Sequence, residues 1–211
     1  SGTNVNSLVE LDNMLYFVAD VSGSGAELWK SDGTSLGTVM VKDIWSGSGS
    51  SSPTELTVVG NSVVFCASDN TNGKELWKSN GTSAGTVMVK DINSETGGTG
   101  DSDPSEFTII NETVYFSAND GINGYELWKS NGTSSGTVMV KDINNGTSSN
   151  PEYLTAVGST LYFSAYDGIN GQELWKSTGY ETSTMMVKNI WSGGYNGLGS
   201  YPDLTAVGNT L

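Results

Sequence analysis

The sequence has no histidine, no arginine, a single cysteine and only four prolines in 211 residues. The missing histidine removes the usual general base and any Ser-His-Asp triad. The missing arginine removes the bidentate clamp that holds carboxylates. A lone Cys66 excludes an intrachain disulfide and a cysteine-cluster metal site. Charged residues make up 15% of the chain, well below the usual ~25%. No apolar run approaches the ~18–20 residues of a membrane-spanning helix, so membrane insertion is not expected. Positive charge is scarce: nine Lys face 23 Asp and Glu, for a formal net charge of −14. Such a surface repels phosphate backbones and anionic membranes, which excludes nucleic acid and leaves cations, neutral glycans and other proteins as partners.

What the sequence does have is repetition. The string Glu-Leu-Trp-Lys occurs at Glu27–Lys30, Glu75–Lys78, Glu126–Lys129 and Glu173–Lys176, at intervals of 48, 51 and 47 residues. Leu15-Tyr16-Phe17, Val63-Val64-Phe65, Val114-Tyr115-Phe116 and Leu161-Tyr162-Phe163 precede it. Val41-Lys42-Asp43-Ile44 and its counterparts at 89, 140 and 187 follow it, and one proline (Pro53, Pro104, Pro151, Pro202) marks each junction. Each unit reads as four short strands, Phe107–Ile110, Thr113–Ala118, Tyr125–Ser130 and Thr137–Ile143 in the third. Asp-Gly and Asn-Gly between them supply the positive φ of tight hairpins.

Four antiparallel strands in roughly 40–50 residues is the size of one propeller blade. The expected fold is therefore an all-β single domain over 1–211, a four-bladed β-propeller with blades near 8–45, 55–93, 106–144 and 153–190. A propeller covers both faces of every blade, which explains why Leu28 and Trp29, on opposite faces, are both apolar. The stretch 202–211 restarts the pattern as a surplus first strand. It is expected either to close the ring beside Met14–Ala19 or to pair with another copy.

Several residues stand out as site candidates. Trp29, Trp77, Trp128 and Trp175 are expected between blades, because a periodic large ring marks a core. Trp45 and Trp191 occur in only two units, inside Ser/Gly loops, and are ligand or partner candidates. The triplets Asp69/Asn72/Glu75, Asp120/Asn123/Glu126 and Asp167/Asn170/Glu173 offer oxygen ligands at a common spacing. They are read either as Ca²⁺ sites or as turns in which Asp and Asn bond their own backbone. Lys42/Asp43, Lys90/Asp91 and Lys141/Asp142 read as solvated or cross-strand charges. Asn80, Asn111, Asn131 and Asn145 lie in Asn-x-Ser/Thr sequons and are glycosylation candidates. Paired carboxylates serve glycoside hydrolysis. Here most of them recur in every unit, and Asp101 and Glu181, outside the pattern, fall in loops. The chain is therefore expected not to be an enzyme.

The string Glu27–Thr34, Glu-Leu-Trp-Lys-Ser-Asp-Gly-Thr, resembles the ELWxxDGT repeat proteins, mostly large secreted bacterial chains. Units two and three read Asn-Gly-Thr at its end, and unit four departs with Thr178-Gly179-Tyr180. The resemblance implies an extracellular or cell-surface location and offers no reaction. The strand layout is also similar to that of the tachylectin-type propellers, which bind sugars. Two functions follow as expectations: a structural or adhesive protein that assembles with other copies through its terminal strands, or a lectin-like binder with several sites.

Overall fold

The computed structural model describes residues 8–94, 100–192, 194–198, 204–208 and 210–211. The chain divides into two compact units, 1–103 and 104–211. Unit 1 holds β1 (Leu8–Leu11), β2 (Met14–Val21), β3 (Gly25–Ser31) and β4 (Val39–Lys42) as sheet 1. Its sheet 2 is β5 (Thr54–Val59), β6 (Ser62–Asp69), β7 (Gly73–Ser79) and β8 (Val87–Lys90). Unit 2 holds β9 (Ser105–Ile110), β10 (Thr113–Asn119), β11 (Tyr125–Ser130) and β12 (Val138–Lys141) as sheet 3. Its sheet 4 is β13 (Glu152–Val157), β14 (Thr160–Tyr166), β15 (Gln172–Ser177) and β16 (Met185–Lys188). In every sheet the strands lie in sequence order and pair antiparallel. Among the described residues the sole helical element is the 3-10 turn Glu181–Ser183. The architecture is all-β, four sheets of four antiparallel strands, one per repeat. This is coarser than the single closed ring expected over 1–211.

The pleat turns each repeated string into a two-faced wall. One face of sheet 1 carries Tyr16, Leu28, Val41 and Ile44, which pack against Leu56, Val63, Phe65 and Trp77 of sheet 2. Unit 2 repeats the arrangement with Tyr115, Leu127, Val140 and Ile143 against Leu154, Leu161, Phe163 and Trp175. Within each unit the seam joins the Tyr/Leu/Val/Ile face of the first sheet to the Phe/Trp face of the second. The register shifts by a bulge between Leu and Trp of every Glu-Leu-Trp-Lys string, where the third strand meets the fourth.

The glutamate of that string is fully buried in all four sheets. Its carboxylate gathers the end of the fourth strand and the junction that follows. Glu27 accepts hydrogen bonds from the Ile44 N–H (3.1 Å), the Ser51 N–H (3.0 Å) and the Ser51 hydroxyl (2.5 Å). Glu126 does the same with Ile143 (2.9 Å) and with Ser149 through N–H (3.0 Å) and hydroxyl (2.6 Å). Glu75 accepts from Ile92 and the Ser102 hydroxyl at 2.9 and 2.6 Å. A buried acceptor with three donors offsets the cost of desolvating it. Even so, burial outweighs the donors and pushes the Glu75 and Glu126 carboxyls up to about 7.

The seams are further clamped by lysine, in place of the solvated charges that the sequence suggests for Lys42 and Lys141. In unit 1, Lys30 Nζ donates to the Gly81 carbonyl (2.8 Å) and Lys42 Nζ to the Thr86 carbonyl (2.8 Å). In unit 2, Lys129 donates to Gly179 (2.7 Å) and Lys141 to Thr184 (3.1 Å). Gly81 and Gly179 have φ of +81° and +89°, and a side chain at either would meet the hydroxyl of Tyr16 or Tyr115.

Of the stretch 202–211, the structure describes residues 204–208 and 210–211. Pro202 lies outside the described residues. The place beside Met14–Ala19 is held by Leu8–Leu11, which pairs with β2 in unbroken register. The Leu204 carbonyl instead accepts a hydrogen bond from the Thr155 hydroxyl (3.2 Å), just as the Leu154 carbonyl accepts one from Thr108 (2.7 Å). Val207 and Thr210 pair as Val157 and Thr160 do at the first hairpin of sheet 4. The segment stands against sheet 4 as the opening of a fifth repeat.

Candidate interaction surface

In sheets 2 and 3 both apolar faces are buried; in sheets 1 and 4 one face of each is not. On sheet 4 the Tyr/Leu/Val/Ile face is the open one. Val187 is 44% exposed and Ile190 51%, while their equivalents Val140 and Ile143 are 6% and 8% exposed. Tyr162 and Leu174 on the same face are half-buried. On sheet 1 it is the Phe/Trp face. Leu15, Phe17 and Trp29 are half-buried there, whereas Phe65, Phe116 and Phe163 are fully buried and Trp77, Trp128 and Trp175 nearly so. The two open faces are of the two kinds that meet in each internal seam. Exposed apolar surface of this extent marks an interaction site more often than a solvated wall.

Of the two loop tryptophans, the structure leaves Trp191 exposed (58%), next to Ile190 in sequence and stacked on Tyr195 with ring centroids 5.0 Å apart. Trp45 is half-buried and lies over Gly49, whose Cα would carry a Cβ straight into the indole. The two therefore do not form equivalent contacts.

The oxygen triplets are drawn apart. Asp120 Oδ1 accepts from the N–H of Ile122 (2.9 Å) and Asn123 (2.7 Å), and Asn123 Nδ2 donates to Oδ2 (2.8 Å). Asp69 with Asn72 and Asp167 with Asn170 repeat this turn. Burial raises the Asp120 and Asp167 carboxyls, but these hydrogen bonds outweigh it and hold both below the usual range. Glu75, Glu126 and Glu173 are committed elsewhere, to backbone donors at the ends of their own sheets. Of the two readings, these hydrogen bonds accord with the turn: each Asp–Asn pair shapes a hairpin, and its Glu locks a junction. No group of three or more acidic, His or Cys side chains suited to a metal occurs among the described residues.

The partners that the sequence reading missed are Ser51, Ser102 and Ser149, the hydroxyls bound to the buried glutamates. A signal existed, because each stands two residues before a junction proline. The sequons Asn80, Asn111, Asn131 and Asn145 all sit on exposed turns. Cys66 is buried, and burial pushes its thiol up to about 12, so it carries no nucleophilic role.

No family model matches the sequence, and no curated protein matches it. Solved structures do resemble it. Puromycin hydrolase aligns over 88% of this chain and 29% of its own, with 14% identity and a TM-score of 0.55. The Bacteroides ovatus xyloglucan PUL protein GH43B aligns over 91% of this chain and 42% of its own, with 16% identity and a TM-score of 0.45. An endo-1,4-β-xylanase from Bacteroides thetaiotaomicron aligns over 89% and 75%, with 14% identity and a TM-score of 0.37. The chain thus spans less than half the length of the first two. At these identities the likeness is one of fold. The likeness to puromycin hydrolase corrects one expectation: an enzyme contains this kind of all-β layout, so the statement that the chain is not an enzyme falls.

Proposed function

We propose that the four sheets are successive β-propeller-type blades of a secreted structural or adhesive protein that assembles head to tail. The open Tyr/Leu/Val/Ile face of sheet 4 in one copy receives the open Phe/Trp face of sheet 1 in another. The observation that carries this reading is the exposure of Val187 and Ile190, 44% and 51%, at positions buried in the other three sheets. The segment around Leu204 and Val207 is seated where the first strand of a following sheet lies, so a docking copy would displace it with its own Leu8–Leu11. A contact between two different faces of one molecule does not close on itself in a pair, so repetition yields a ring or a filament. The resemblance to secreted ELWxxDGT repeats and the net charge of −14 accord with an extracellular setting.

Light scattering coupled to size exclusion, with negative-stain imaging, tests the proposal. Concentration-dependent oligomers that Ile190→Lys and Trp29→Lys each disperse are the expected result. A monomer at all concentrations, or oligomers indifferent to both changes, would overturn it.

A further inference from the structure

Unit 2 contains a groove of about 390 Å³ on the surface of its seam, bounded by Thr113, Lys129, Asn131, Ser135, Thr178 and Tyr180. That volume lies within the roughly 300–1,000 Å³ of small-ligand sites. Its frame is the one common to both seams: Lys129 reaches the Gly179 carbonyl, and Tyr115 stands over Gly179. Its lining is not common. In unit 1 the frame is Lys30, Gly81 and Tyr16, and the corresponding positions carry Met14, Asp32, Leu36, Asn80 and Thr82. Relative to that seam, unit 2 replaces two apolar side chains by hydroxyls (Thr113, Ser135), a carboxylate by an amide (Asn131) and a threonine by an aromatic ring (Tyr180).

Tyr180 is held for presentation. The 3-10 turn Glu181–Ser183 follows it, and its carbonyl accepts from the Ser183 N–H (3.0 Å) and the Thr184 hydroxyl (2.9 Å). Lys129 Nζ lies 4.8 Å from the centroid of its ring, on one side, and the residue is 67% exposed. With its backbone fixed by the turn and most of its surface open, the Tyr180 side chain is available for contact with the apolar face of a ligand. Among the described residues nothing hydrogen-bonds the hydroxyl of Thr113 or Thr178, or Asn131 Nδ2. The groove offers donors and acceptors with no carboxylate among its lining residues. Its one cation already faces the Gly179 carbonyl and Tyr180.

We infer that this groove binds a neutral pyranose, its apolar face on the Tyr180 ring and its hydroxyls on Thr113, Asn131 and Thr178. An anionic sugar would meet a net charge of −14 with no uncommitted cation in the groove, and an apolar ligand would strand the hydroxyl and amide groups. The site lies wholly in unit 2 and stands or falls separately from head-to-tail assembly.

Saturation-transfer NMR of the whole chain with methyl α-mannopyranoside, methyl β-galactopyranoside, N-acetylglucosamine, xylobiose and sialic acid tests it. Transfer to at least one neutral probe is expected. Tyr180→Ala should weaken that binding about tenfold or more, the loss of one stacking contact with its anchoring, at unchanged melting temperature. The paired change Thr113→Met with Ser135→Leu, which restores the lining of unit 1, should abolish it. Silence from all neutral probes, transfer only to sialic acid, or binding that survives Tyr180→Ala would each overturn the inference.

Discussion

The two seams of this protein share a frame and differ in lining. Lys30, Tyr16 and Gly81 in unit 1 are matched by Lys129, Tyr115 and Gly179 in unit 2, with lysine-to-carbonyl bonds of 2.8 and 2.7 Å. Around that frame, Met14, Leu36 and Thr82 give way to Thr113, Ser135 and Tyr180. In a repeat protein, what recurs is held by packing and hydrogen bonding that every copy needs. What breaks the recurrence is available for a task that only one copy performs.

The buried glutamates test most strongly whether the two frames are equivalent. Glu27→Ala strands four donors and Glu126→Ala three, and each change should destabilise the chain by about 3–5 kcal/mol in chemical denaturation. Similar losses would show that the frames are equivalent; a loss confined to one unit would end the symmetry argument.

The same carboxyls give a pH signature. Glu75 and Glu126 sit at about 7 in the folded chain, above the ordinary glutamate value, so the folded state holds their protons more tightly than the unfolded one. The resulting stability is fully present below the unfolded value near ~4.3 and is lost as pH rises through about 7. Denaturation midpoints should therefore fall between mildly acidic and neutral pH and level off above. A midpoint that rises over this interval would refute the assignment.

Gly81→Ala and Gly179→Ala come next, at about 1–3 kcal/mol each, since both combine a left-handed backbone with a tyrosine hydroxyl in the way. The smallest effect is the most discriminating. Lys30→Met and Lys129→Met each remove one partly buried hydrogen bond, worth about 1 kcal/mol in a thermal melt. Only the second should also loosen Tyr180, seen as a change in tyrosine fluorescence.

Much of this fold was legible in the sequence because strands and turns are local. The strings around Phe17, Trp29 and Val41 each became a strand or its flank, and the Asp-Gly and Asn-Gly turns fell where the repeat placed them. What was not legible was direction. Asp120, Asn123 and Glu126 share one spacing, but the hairpin spends the first two on its own backbone and the strand carries the third into the core. Lys42 looked solvated because its acceptor, the Thr86 carbonyl, lies in the next repeat and leaves no mark on side-chain identity. The exposure of Val187 and Ile190 was equally invisible, since they read as their buried equivalents do. Tyr180 was visible as a departure from Asn-Gly-Thr, and only the groove around it gave the departure a use.

The lysine clamp has a consequence for ancestry. Its acceptors are main-chain carbonyls, at Gly81, Thr86, Gly179 and Thr184, and not side chains. Any repeat that keeps the backbone path can follow any repeat that keeps the two lysines, whatever else has mutated. Unequal recombination between neighbouring gene segments would then lengthen or shorten the array without inventing a new contact, leaving individual copies at liberty to diverge in their loops.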